Sequence, residues 1–147
     1  MEQIKIQIMK LKEDAILPSR QSLGACGYDL YSYCPNGIEI PVQSRVYIPT
    51  GISLAIPYGF DLEIRPRSGL STKNLLLLPN SPGTIDSDYR GEIIVCMVNF
   101  GTQLFNVEHK MRIAQIIVRR SLEIDWEICK QLDSTERGTG GFGSTGL

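Results

Sequence analysis

The sequence is short of the groups that make several function classes easy to read. It has one histidine, His109, and four cysteines, Cys26, Cys34, Cys96 and Cys129, with no C-x-x-C spacing, so a zinc cluster of the usual kind is not expected. Each thiol instead reads as a small buried hydrophobe, kept reduced in a cytoplasmic setting. Long apolar runs are also missing. Lys5, Lys10 and Lys12 interrupt the apolar residues of the opening stretch, so neither a signal peptide nor a membrane span is expected there. Nor is there an excess of one charge sign, because 15 Lys and Arg face 16 Asp and Glu, which gives no net pull toward nucleic acid or an anionic membrane. An anionic ligand must therefore meet cations placed locally.

What is present is a chain of 147 residues, enough for one domain with one sizeable core. Short apolar and β-branched runs recur along it: Ile4–Met9, Gly27–Ser32, Ile38–Ile40, Arg45–Ile48, Ile52–Ile56, Phe60–Ile64, Leu75–Leu78, Ile93–Asn99 and Ile113–Val118. Between them stand turn formers such as Pro35-Asn36-Gly37, Pro49-Thr50-Gly51, Pro57-Tyr58-Gly59 and Pro79-Asn80-Ser81-Pro82-Gly83. This punctuation predicts an all-β fold, a jelly-roll or similar two-sheet barrel of many short strands. Arg112–Val118 has helically spaced Ile113, Ile116 and Ile117, but its Ile and Val content favours a strand. Only Arg67–Lys73 reads as helix, with Ser68 as its cap. From Asp133 onward glycine dominates and large apolar groups nearly vanish. The expected division is a β domain over 1–132 and a C-terminal segment over 133–147, either a disordered tail or a Gly-rich arm that orders over a ligand.

Three Gly-bearing polar segments could carry chemistry. Arg67-Ser68-Gly69 places a cation, a hydroxyl and backbone N–H groups at a helix start, a cradle for phosphate oxygens. Arg137, followed by Gly138, Gly140, Gly141 and Gly143 and then Ser144 and Thr145, repeats that logic, since glycines let amides approach an anion closely. Pro79–Gly91 reads as a hairpin containing Ile85, Asp86, Asp88, Tyr89 and Arg90. Taken singly, Asp86 could be an Asx-turn residue and Tyr89 a packing residue.

In order, Gly27-Tyr28-Asp29-Leu30-Tyr31-Ser32, Arg65-Pro66-Arg67-Ser68-Gly69-Leu70-Ser71, the stretch from Asn80 through Gly83-Thr84-Ile85-Asp86-Ser87-Asp88-Tyr89-Arg90-Gly91, Arg112-Ile113-Ala114-Gln115, and Arg137-Gly138-Thr139-Gly140-Gly141-Phe142-Gly143-Ser144-Thr145-Gly146 resemble the five motifs of the trimeric dUTPase family. The resemblance implies a jelly-roll or β-clip-like barrel that hydrolyses dUTP to dUMP and pyrophosphate with Mg²⁺, limiting uracil in DNA and supplying dUMP. It implies a homotrimer whose sites are shared between subunits, with no nucleic-acid or membrane partner. Asp86 would be the base activating a water for attack on the α-phosphorus. Asp29 would hold Mg²⁺ through water, with Gln115 in the same polar network or, alternatively, serving backbone groups. Arg67, Ser68 and Gly69 would bind the α- and β-phosphates. Arg137, Gly143, Ser144 and Thr145 would grip the γ-phosphate while Phe142 stacks on uracil. Asn80, Gly83, Thr84 and Ile85 would read the base, and Tyr89 would lie on the deoxyribose.

Three positions depart from the family pattern: Cys26, Met111 before Arg112, and Lys73-Asn74-Leu75, where Asn74 is expected to supply a left-handed geometry otherwise given by Gly. A dCTP deaminase of the same superfamily would need a Glu-based hairpin, which Asp86-Ser87-Asp88-Tyr89 does not provide.

Overall fold

A computed structural model describes residues 3–141. One four-stranded antiparallel sheet has the order β1 (Gln7–Lys10), β4 (Arg45–Ala55), β8 (Glu92–Asn99), β6 (Leu76–Leu77). A second has the order β2 (Tyr28–Tyr31), β10 (Arg112–Arg120), β5 (Phe60–Pro66), β7 (Gly83–Ile85). A two-stranded ribbon pairs β3 (Ile38–Ile40) with β9 (Phe105–Val107). The single helix among the described residues is α1 (Ser68–Asn74). Leu30, Leu62, Ile113 and Ile116 of the second sheet share one apolar cluster with Ile48, Ile52, Val95 and Met97 of the first. Burying such side chains is the main favourable term holding the two sheets together. Arg112–Arg120 is a strand, as its β-branched content predicts.

Five local expectations are corrected. Arg45–Ile48 and Ile52–Ile56, expected as two strands parted by a Pro49-Thr50-Gly51 turn, run together in the single strand β4, whose pairing with β8 shifts register between Pro49 and Ser53. Leu76 and Leu77 pair with β8, as a hairpin over 79–91 would require, but the connection also crosses to the second sheet, where Gly83–Ile85 pairs with Ile64–Leu62 of β5. The helix begins one residue later than expected: Arg67 is its extended N-cap (φ −91°, ψ 130°), and Ser68 is the first helical residue and makes no capping bond. The left-handed residue after the helix is Leu75 (φ 53°), not Asn74. Asn74 stays helical, and its carbonyl oxygen lies 2.7 Å from where a Cβ on Gly101 would sit, a close approach that only glycine allows. Of the four thiols only Cys34 is buried, its Sγ donating to the Val107 carbonyl (3.6 Å); Cys96 is half-buried, and Cys26 and Cys129 are exposed.

Residues 121–141 lie outside both sheets. Leu122, Ile124, Trp126 and Ile128 are all largely exposed, Ile128 at 98%. They alternate with Glu123, Asp125 and Glu127, the period-two pattern of a half-buried strand, yet no strand among the described residues pairs with them. The outward face of the first sheet also exposes Tyr47 and Ile94.

Candidate functional site

Directly opposed residues of antiparallel strands share a face, so the pairing register fixes which side chains meet on the second sheet. Asp29, Gln115 and Arg65 form one rung; Ile117, Glu63 and Thr84 form the next on that face, and Arg119 and Asp61 the one after. The opposite face carries Leu30, Ala114, Ile116, Ile64 and Leu62, all in the core. The strand alternation thus turns every polar residue of these rungs away from the core.

Asp29 is 8% exposed, and its two oxygens accept from Arg67 Nε (3.2 Å) and Arg112 Nη1 (3.3 Å). A carboxylate so covered would be costly without such partners. Arg67 also donates Nη1 to the Arg112 carbonyl (3.1 Å), locking the end of β5 to the start of β10. Gln115 is half-buried and donates Nε2 to the Pro66 carbonyl (3.0 Å), so it does serve a backbone group. Its Oε1 lies 2.2 Å from where a Cβ on Gly27 would stand, so any side chain at 27 would displace the amide. Ser68 and Gly69 lie exposed just beyond, at the start of α1. Asp29, Arg67, Arg112, Gln115 and Ser68–Gly69 therefore come together in one chain; Arg112 was read only as a motif residue, and its place as the second clamp on Asp29 needed the β2–β10 register.

The connection from β6 to β8 is the other half of the expected site, and it lies elsewhere. Asn80 folds over Gly83, with its Nδ2 2.9 Å from a Cβ position there. Thr84 and Ile85 belong to β7, and Asp86 follows at the strand end, exposed. The Tyr89 N–H donates to the Asp86 carbonyl (3.2 Å) and closes the turn. Tyr89 hydroxyl donates to the Glu92 carbonyl (3.0 Å), and its ring lies over Gly91, whose missing Cβ leaves the space. β2 and β7 are opposite edges of a four-stranded sheet, three inter-strand spacings or about 14 Å apart. Asp86 is also displaced along the strands by about four residues from the Asp29 rung, so the two carboxylates are separated by roughly 20 Å. One chain does not bring Asp86 to the Asp29 cluster.

Arg137 is exposed and donates Nε to the Gly140 carbonyl (2.9 Å), within a turn where Gly138 takes φ +52°. Phe142, Gly143, Ser144 and Thr145 lie outside the described residues. Among the described residues no group of three or more His, Cys, Asp or Glu is placed to hold a metal, and no helix is long and apolar enough to cross a membrane.

The family model for dUTPase matches residues 13–146. The chain belongs to the dUTPase family. Its relatives include the deoxyuridine 5'-triphosphate nucleotidohydrolases of Leptospira interrogans, 49% identical over 144 residues and covering 97% of this chain and 99% of the relative, and of Wolinella succinogenes, 47% identical over 148 residues and covering 99% and 97%. Among solved structures, a Staphylococcus bacteriophage 80alpha dUTPase carrying dUpNHpp superposes with a TM-score of 0.87 at 23% identity, over 97% of this chain and 99% of that one. A dUTPase of phage phi11 of S. aureus, described with a structural Mg(II) ion, gives 0.79 at 19% identity, over 87% and 98%. The fold is thus the jelly-roll-like β fold of dUTPases, and the chain is a hydrolase of the dUTPase family.

Proposed function

We propose that this dUTPase hydrolyses dUTP to dUMP and pyrophosphate at sites assembled from more than one copy of the chain, as a homotrimer. The observation that carries the reading is the clamp on Asp29, with Arg67 and Arg112 on its two oxygens, Gln115 opposite it and Ser68–Gly69 alongside. Cations and backbone amides gathered there suit the α- and β-phosphates of a nucleotide. The distance from that cluster to Asp86 supports completing the site with a neighbour's β7 turn. The exposed alternation over Leu122–Ile128 and the apolar face around Tyr47 and Ile94 support burial against other copies, since exposed apolar surface of this extent marks an interface.

Within such a site Asp86 acts as the base. No described residue forms a hydrogen bond or ion pair with its carboxylate, which leaves both oxygens available to orient a water and take its proton during in-line attack on the α-phosphorus. The leaving group is pyrophosphate, gripped by Arg67, Ser68 and the amide of Gly69. Arg137, Gly143, Ser144 and Thr145 close over the γ-phosphate as residues 133–147 act as an arm, and Phe142 covers the base. Asn80, Gly83, Thr84 and Ile85 read uracil; cytosine would set its amino donor against a donor, and a mismatch of that kind discriminates by roughly 10⁴–10⁵. Tyr89 lies against the deoxyribose, leaving no room for a 2′-hydroxyl.

Mg²⁺ fits Asp29 through water rather than by direct ligation. Each guanidinium uses one lone-pair direction on an Asp29 oxygen, and a carboxylate has about four such directions, so acceptors remain for metal-bound water. When bound, the ion neutralises phosphate charge. A cytoplasmic setting belongs to the same proposal, and the free thiols of the described residues fit a reducing compartment.

A panel of dUTP, dCTP, dTTP and UTP with pyrophosphate and ammonia readouts tests the substrate. Pyrophosphate from dUTP alone is the expected result; ammonia from dCTP would replace this reading with that of a deaminase.

A further inference from the structure

The outward face of the second sheet continues beyond the Asp29 rung into a groove of about 690 Å³ lined by Asp86, Thr84, Glu63, Asp61, Arg119 and Glu123. Glu63 is only 4% exposed and lies between two arginines of that face. Arg65 donates Nε (2.9 Å) and Nη2 (2.6 Å) to one of its oxygens, and Arg119 donates Nη1 to the other. Those two guanidinium groups, Arg119 first, hold the Glu63 carboxyl below the usual carboxylate range. Arg119 is the cation of the groove, and it stands on the rung of Asp61, one residue past the β7 end that leads to Asp86.

We propose that Glu63 is a positioning residue for Asp86: by engaging Arg119 it keeps the groove's cation away from the carboxylate that activates water. The inference rests on the assignment of Asp86 as base. A cation within a few ångströms of a carboxylate favours its charged form, and a carboxylate so stabilised is a weaker proton acceptor. Released from Glu63, Arg119 has Asp61, Glu123 and Asp86 to turn to, with Tyr58 the other titratable group on the groove. Asp61 already accepts a hydrogen bond from Ser121 Oγ (2.8 Å). Because β5 lies between β10 and β7, an Arg119 drawn to Asp61 also moves toward Asp86. Arg65 does not substitute for it, since its rung is that of Gln115 and Asp29.

The test compares Glu63→Gln, Arg119→Gln and the double variant in the full-length assembled protein. Readouts are kcat against pH for dUTP and affinity for a non-hydrolysable dUTP analogue. Glu63→Gln is expected to lower kcat by about 3- to 10-fold with its acid limb moved to lower pH, leave analogue affinity unchanged, and be restored in both respects by adding Arg119→Gln. An unaltered profile in Glu63→Gln overturns the proposal, as does a loss that Arg119→Gln does not rescue, since a role confined to folding would not be relieved by removing the second charge. Both arginines are about half exposed at their side chains, so Glu63→Gln is expected to fold. If its melting shows otherwise, Glu63→Asp, one methylene short of Arg119, carries the same readouts. Turnover that survives Asp86→Asn would overturn the base assignment itself, whereas a dead Asp86→Asn beside an unaltered Glu63→Gln removes only the positioning role.

Discussion

Replacing Asp86 by Asn is expected to lower kcat for dUTP by about 10²–10⁴-fold, the usual worth of a positioned general base, while a non-hydrolysable analogue binds with unchanged affinity. Asn keeps the shape and one acceptor oxygen but cannot take a proton from water at neutral pH. The turn itself should survive, because the bond that closes it runs from the Tyr89 N–H to the Asp86 carbonyl and does not involve the carboxylate. The side chain is exposed, so no core packing is lost and melting should be unchanged. Single-turnover kinetics and calorimetric titration on the same preparation separate chemistry from binding. A loss of affinity equal to the loss of rate would make Asp86 a binding residue instead.

Truncation before Arg137 is the second large effect. The shortened chain is expected to lose at least about 100-fold in kcat/KM, since a charge-assisted hydrogen bond is worth about 1.5–3 kcal/mol and the segment supplies Arg137 and the glycine-rich amides together. Thermal melting should stay where it is. Arg137, Gly138 and Thr139 are exposed, and neither Gly140 nor Gly141 belongs to the apolar core, so the described residues that are removed take nothing from it. Full activity in the truncated protein would show that the segment takes no part in catalysis.

Of the cluster around Asp29, residue types alone announce only Arg67-Ser68-Gly69 as an anion cradle; Asp29 and Gln115 enter through the resemblance to the dUTPase motifs, and Arg112 as a clamp on Asp29 needed the β2–β10 register. Glu92–Asn99 was legible from its β-branched content, whereas Arg45–Ala55 is one strand where two were expected, because Pro49-Thr50-Gly51 makes a register shift inside it rather than a turn. Ile38–Ile40 was read despite its three residues, whereas the equally short Gly83–Ile85 and Phe105–Val107 were not; their partners are far away in sequence. The Glu63–Arg119 pair was hidden for a related reason: 56 residues separate the two, and only the β5–β10 register sets them on one face. Ser68 was misplaced by one residue because residue preference ranks caps without fixing backbone geometry, and Arg67 took the extended position while its side chain reached Asp29. The exposed run from Leu122 to Ile128 carried its signal openly in the sequence, but a period-two pattern does not say which chain pairs with it.

Mixing two defective chains tests the shared-site account most directly. Asp86→Asn protein and protein truncated before Arg137, each inactive alone, are unfolded together and reassembled at equal amounts. If the base and the arm of one site come from different copies in a symmetric assembly, roughly one site in four regains both, and turnover returns toward a quarter of wild type. A mixture as inactive as its components, with light scattering giving trimers that contain both chains, would contradict the account.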